Sequence, residues 1–193
     1  MITIVDATQL VKKTSSPLLK STVKPVGKSG GYTLFEDLYS PINMPPFRQS
    51  AMDGYALSLH DSLSYTLIDE VKAGDEHQPI LKPGDAVRIF TGAPVPDTAN
   101  AIMMQEKVKT DGHTIKIEHQ IALEHNIRPL GEQVKVGEIA LKKDTKLTPA
   151  AIGYLISLGN TEVKVFKKPN IAIVTTGNEL IESGQKLSYG KIY

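Results

Sequence analysis

Between residues 52 and 127 the apolar positions fall in short runs broken by Pro, Gly and Asn, the rhythm of strands joined by turns. Residues 65–69, 86–90, 101–105 and 114–121 are predicted strands, and apolar–polar alternation is clearest in the last. Pro83-Gly84, Asp111-Gly112 and the 94–100 segment supply the turns. This pattern predicts a small β-barrel or sandwich. Residues 134–147 add hairpin-like β material, and 161–165 alternate as a further strand. Two short stretches read instead as helices. Residues 5–13 form one, with Asp6 as N-cap, Gln9 completing a capping box, Val5 stapled onto Leu10, and Ser15-Ser16-Pro17 as the stop. The other opens at Thr148-Pro149, an N-cap followed by a first-turn proline. Its Ile152, Leu155, Ile156 and Gly159 fall at helical spacing, with Gly159 as a left-handed cap. Residues 21–28 are poorly patterned and read as strand or loop.

Composition narrows the class without choosing a function. The chain has 193 residues, 40% of them apolar and 22% charged, which is ordinary for a globular protein. Its formal net charge of +1, with both signs interspersed, implies no basic face for nucleic acid. Zero Cys excludes disulfides and thiolate zinc sites and suits a reducing cytoplasm. No run approaches membrane-spanning length, and residues 1–10 lack a basic segment leading into a long apolar one, so neither secretion nor membrane insertion is expected. The five His, at positions 60, 77, 113, 119 and 125, show no metal-ligand spacing. Gly27-Lys28-Ser29 copies only the end of a P-loop, since Thr22 holds the first glycine position.

The candidate chemistry lies in four phrases. Pro45-Pro46-Phe47 leads into Ser50-Ala51-Met52-Asp53-Gly54-Tyr55-Ala56, a small-residue run that presents one carboxylate at an Asp-Gly bend. The second phrase is Arg88-Ile89-Phe90-Thr91-Gly92-Ala93-Pro94-Val95-Pro96, followed by Ala99-Asn100-Ala101-Ile102-Met103-Met104-Gln105-Glu106. The third runs Asn126-Ile127-Arg128 to Gly131-Glu132, and the fourth Ile171-Ala172-Ile173-Val174-Thr175-Thr176-Gly177-Asn178-Glu179-Leu180. Asp-Gly alone is an ordinary turn former, because Gly tolerates positive φ and Asp bonds its own backbone. In order and spacing the four phrases resemble the molybdopterin molybdotransferases, the MoeA and gephyrin E-domain family, over nearly the whole chain.

That resemblance implies a mixed α/β, multi-domain protein. Residues 1–44 with 128–168 would form an elongated linker-type α+β domain, and 45–127 an inserted β-barrel-like lobe. Residues 169–193 would begin a truncated α/β pterin-binding domain, whose first strand is the apolar run at 171–174, beyond a hinge at Lys167-Lys168-Pro169. The chain then corresponds to the N-terminal part of a molybdotransferase, ending at Tyr193 ahead of a family helix, and is expected to be inactive alone. The implied reaction joins molybdate to the dithiolene of adenylylated molybdopterin, releases AMP, depends on Mg²⁺ and takes place in a cytoplasmic homodimer. A non-catalytic dimerising scaffold of the same fold is the rival reading.

Within that frame Asp53 is the expected catalytic carboxylate and Mg²⁺ ligand, because a hard cation takes oxygen ligands from one or two carboxylates and substrate phosphates. Thr91 and Gly92 follow a strand end, where a hydroxyl and unhindered N–H groups can meet phosphate or molybdate oxygens. Thr91 and Glu179 join Asp53 as expected catalytic residues, Glu179 lying beyond the strand at 171–174, although without the rest of that sheet it stands as a solvated charge. Ser50, Gly92 and Glu132 are expected to bind substrate, and Glu106 reads as a solvated strand-end charge. The chain departs from the family at Arg48-Gln49, where Asp-Asn is typical and where Arg48 favours an anion. It departs again at Gln133, where an acidic residue is typical.

Overall fold

The computed structural model describes residues 2–193 and divides the chain into two compact units, residues 21–165 and residues 2–20 with 166–193. In chain order the elements begin with α1 (Ile4–Thr14), β1 (Ser21–Pro25), a 3-10 turn (Val26–Lys28), β2 (Leu38–Tyr39), β3 (Gln49–Ser50), β4 (Gly54–Leu57), β5 (Ser64–Val71) and β6 (Asp85–Ile89). They continue with β7 (Ala101–Met104), a 3-10 turn (Gln105–Lys107), β8 (Val108–Asp111), β9 (Thr114–Ile117), β10 (Ile127–Arg128), β11 (Ile139–Leu141), α2 (Pro149–Ser157) and β12 (Glu162–Phe166).

The larger unit is built on a six-stranded sheet of order β7-β4-β6-β5-β9-β8, with β7 and β8 as its two edges. It is therefore an open sheet rather than a closed barrel. Only β5 and β6 run parallel; the other neighbours are antiparallel. Both faces are covered. Ala56, Val87, Ile89 and Ile102 join Val71, Val95 and Ile127 in one cluster. Leu57, Ala86 and Met103 pack with Tyr65, Ile115 and Ile117 in another. Burial on two faces explains why 86–90 and 101–105 read as apolar runs, while β9 with one face in solvent alternates. The strand predicted at 114–121 stops at Ile117, where its pairing with β8 ends. The β8–β9 hairpin turns through Gly112, whose φ is +57°.

β4 was not predicted, yet it sits inside the sheet between β6 and the edge strand β7. Its four residues, Gly-Tyr-Ala-Leu, carry no alternation that sequence could use. Another correction concerns 134–147, which does not fold on itself as a hairpin. Its strand β11 pairs with β2, and Val134 and Lys146 bridge to Met44 and Thr33. These partners are about a hundred residues distant in the chain, so no local turn signal marks them.

A third cluster gathers Val26, Leu34, Leu147, Leu155, Val163 and Val165 beneath α2, beside the paired β1 and β12. The segment at 21–28 is thus a strand and a 3-10 turn. Helix α2 follows its sequence signals closely. Thr148 Oγ1 accepts from Ala151 N at 3.2 Å and Pro149 opens the first turn. Gly159, at φ +82°, donates to Ile156 O, and Asn160 N donates to Leu155 O, the paired bonds of a Schellman end. Ile156, placed on the apolar face by spacing, is instead 54% exposed.

In the smaller unit α1 starts earlier than predicted. Thr3, not Asp6, is the N-cap: its Oγ1 accepts from Asp6 N at 3.1 Å and donates to Asp6 Oδ2 at 2.6 Å. Asp6 therefore fills the reciprocal position assigned to Gln9, and the Val5–Leu10 staple loses its register. No residue of α1 is buried. The run at 171–174 forms no strand: Ile171, Ile173 and Val174 are 80%, 87% and 82% exposed. A strand needs a neighbour to receive its N–H and C=O groups, and among the described residues this run has none. The first strand expected of an α/β domain is thus not formed. The tail is held instead by a Leu180–Ile192 bridge and by Ile192 N donating to Glu179 O at 2.8 Å. Among the described residues no helix is long and apolar enough to cross a membrane.

Candidate functional site

The loop that carries Asp53 is fixed from below by its own neighbours. Ser50 is fully buried at the end of β3, and its Oγ donates to Met52 O at 2.6 Å, closing the turn ahead of Asp53. Ser50 N donates to Ala93 O at 3.0 Å and its carbonyl accepts from Gly92 N at 2.9 Å. That reciprocal pair fastens the loop to the segment after β6. Gly92 holds φ +87° in the turn between Phe90 and Ala93, a conformation that favours glycine. Its carbonyl accepts from Gln49 Nε2 at 3.1 Å. On the other side, Ala51 N donates to Asn126 O at 3.0 Å, and β3 pairs with β10.

These ties bring Asp53 and Thr91 together. Asp53 Oδ1 accepts from Thr91 N and from Thr91 Oγ1, both at 2.7 Å. The Thr91 backbone N–H does most to hold the Asp53 pKa below the ordinary carboxylate value, the Thr91 hydroxyl adds to it, partial desolvation opposes both, and the Arg88 charge lowers it a little further. The carboxylate is exposed and anionic at neutral pH, with Oδ2 not engaged by Thr91. A carboxylate pKa depressed by folding contributes stability that is present above the usual carboxylate range and lost as pH falls through the lowered value. Thr91→Val, which removes one of the two bonds, is expected to raise the Asp53 midpoint toward the ordinary 3.8. A ¹³C titration of the side-chain carboxyl measures it, and an unmoved midpoint would refute the assigned cause.

The sequence-predicted residues divide. Asp53, Thr91, Ser50 and Gly92 form one assembly, but the donors expected to meet ligand oxygens are turned to the protein. Thr91 gives its N–H and hydroxyl to Asp53, Gly92 gives its N–H to Ser50, and the Ser50 hydroxyl goes to Met52. Three of the four residues thus build the mount for the fourth. Glu132 sits in a separate turn, its N–H donating to Pro129 O at 3.2 Å. Glu179 belongs to the smaller unit, where its carboxylate lies over Gly177. Glu106 is exposed and accepts from Gln105 Nε2 at 3.2 Å. Arg48 is not free for an anion: its guanidinium donates to Ala99 O at 2.9 Å and pairs with Glu124 at 3.1 Å, bracing a loop.

Sequence reasoning missed Arg88. Its guanidinium donates to Gly54 O at 3.0 Å and to Gln105 Oε1, and stacks on the rings of Tyr55 and Phe90. Its partner Tyr55 lies on β4, a strand the sequence does not mark, so no local signal points to this contact. Among the described residues no three His, Asp or Glu side chains gather as a ready-made metal cage. Asp53 presents a single exposed carboxylate whose Oδ2 is not engaged by Thr91.

The fold and the loop define the class: a sheet-rich module with few helices that presents one fixed carboxylate. Residues 2–159 match the model of the MoeA N-terminal region (domain I and II), and the chain belongs to that family. It is 42% identical over 163 residues to a molybdopterin molybdenumtransferase of Haemophilus influenzae, covering 82% of this chain and 40% of that one. A Staphylococcus aureus protein of the same name is 33% identical, covering 99% and 47%. Among solved structures, a molybdopterin biosynthesis moeA protein from Pyrococcus horikoshii OT3 superposes with TM-score 0.86 at 33% identity, covering 98% of this chain and 52% of that one. The chain thus spans about half the length, or less, of the relatives it matches.

Proposed function

We propose that this chain supplies one wall of the site at which a molybdopterin molybdotransferase inserts molybdate into adenylylated molybdopterin with release of AMP. The single observation behind this reading is the anionic Asp53 carboxylate, exposed and held on Oδ1 by two Thr91 bonds. A carboxylate kept ionised is suited to bind a hard cation and unsuited to donate a proton. Asp53 would hold Mg²⁺ together with substrate phosphate oxygens. An ion held by Asp53 would supply positive charge against a breaking phosphoanhydride. Thr91, Ser50 and Gly92 keep the carboxylate in place as the substrate enters. The reading makes the working unit a cytoplasmic homodimer, with the pterin-binding part of a second copy, which carries the Glu179 segment, facing the Asp53 loop.

The test is AMP release from adenylylated molybdopterin with molybdate and Mg²⁺, by this chain alone and mixed with a full-length relative whose Asp53 counterpart is Ala. Activity appearing only in the mixture supports the reading. Silence in a mixture shown to contain mixed dimers overturns it in favour of a scaffold, which would also show no Mg²⁺-linked stabilisation by a phosphate ligand.

A further inference from the structure

Arg88, on the strand that leads to Thr91, bonds both the Gly54 and the Gln105 segments beside Asp53. It stands on β6, which ends at Ile89 just ahead of Thr91, and its register partner on β4 is Tyr55. Its Nη1 donates to Gly54 O at 3.0 Å, and its Nη2 donates to Gln105 Oε1. Gln105 in turn donates its backbone N–H to Asp53 O at 3.1 Å. One guanidinium therefore closes a ring that runs Asp53, Gly54, Arg88, Gln105 and back to Asp53. The Tyr55 and Phe90 rings, with centroids 5.1 and 4.9 Å from the guanidinium carbon, confine it from the sides.

We infer that Arg88 is the positioning residue of the site, its fork setting the Asp53–Gly54 bend so that the carboxylate meets Thr91. Only a planar fork serves two acceptors on different strands at once while stacking on aromatic rings. A Lys supplies the charge as a point and cannot span both. The guanidinium meets a backbone carbonyl and a neutral amide, so its charge is not cancelled by either partner, and it also favours ionised Asp53. The catalytic meaning of this device rests on the reading of Asp53 as the reactive carboxylate, but the device itself does not.

The experiment uses this chain without substrate and reads two signals, the hydrogen exchange of the Thr91 amide and the ¹³C titration midpoint of Asp53. Arg88→Met is expected to speed Thr91 exchange roughly tenfold and to raise the Asp53 midpoint. Arg88→Lys is expected to leave Thr91 exchange fast and the Asp53 midpoint raised, because restoring the charge returns only the smallest of the influences on that carboxylate. The amides of Ile115 and Ile117 in the same sheet serve as reference and are expected to keep their rates, which separates positioning from a general loss of stability. Unchanged Thr91 exchange in folded Arg88→Met overturns the inference, as does Arg88→Lys with the original exchange rate. If Arg88→Met does not fold, the Arg88→Lys exchange rate alone decides. Because neither signal involves turnover, this inference and the proposed activity fail independently.

Discussion

Gly54→Ala is expected to destabilise the sheet by about 3 kcal/mol or more, at the upper end of overpacking costs. A Cβ at this position would stand 2.0 Å from Met103 O and 2.9 Å from Met103 C. Both are backbone atoms of β7, so no side-chain rotation relieves the overlap. The strand would have to move, and β4 is paired on both sides, with β6 through Gly54↔Ile89 and with β7 through Gly54↔Met104. Relief on one side strains the other. The measurement is a urea unfolding curve of the variant against the parent chain. A midpoint within error of the parent would mean that the sheet is looser at β4 than its close packing indicates.

Asp53→Asn is expected to leave the fold intact and remove function. The amide oxygen can still accept both Thr91 bonds that now fall on Oδ1, so the loop keeps its mount. What disappears is the negative charge. If Asp53 holds a cation against substrate phosphates, losing it should cost on the order of a thousandfold in AMP release in the mixed assay, the equivalent of several kcal/mol. Thermal unfolding at neutral pH should shift only by the contribution that the ionised, Thr91-bonded carboxylate makes to folding. A variant that retains activity to within about tenfold would show that the carboxylate is not the reacting group.

The two substitutions are neighbours in the chain and act through unrelated physics, which shows where the sequence was legible. The Asp-Gly phrase pointed to Asp53, and the structure presents that carboxylate exposed. For Gly54 the sequence offers only the ordinary reading of an Asp-Gly turn, in which glycine tolerates positive φ. Gly54 is absent from the left-handed glycines, and the position excludes a side chain because β7 passes so close. A local explanation was replaced by a tertiary one at the same residue.

Helix α2 marks the opposite case. Its Thr148 cap, Pro149 start and Gly159 stop are interactions among residues within a few positions of one another, so the sequence encodes them directly. The alternation of β9, the Asp111-Gly112 turn and the four ordered phrases that carry the family were determined in the same way. Only the tertiary structure decided the rest. β4 is a strand because β6 and β7 flank it, and Thr91 meets Asp53 across thirty-eight positions of sequence. Arg88 joins Gly54 to Gln105, and the apolar run at 171–174 stays exposed because, among the described residues, no strand lies beside it. Each depends on which distant segment comes alongside, and backbone pairing between such segments is chosen by packing that no local pattern records.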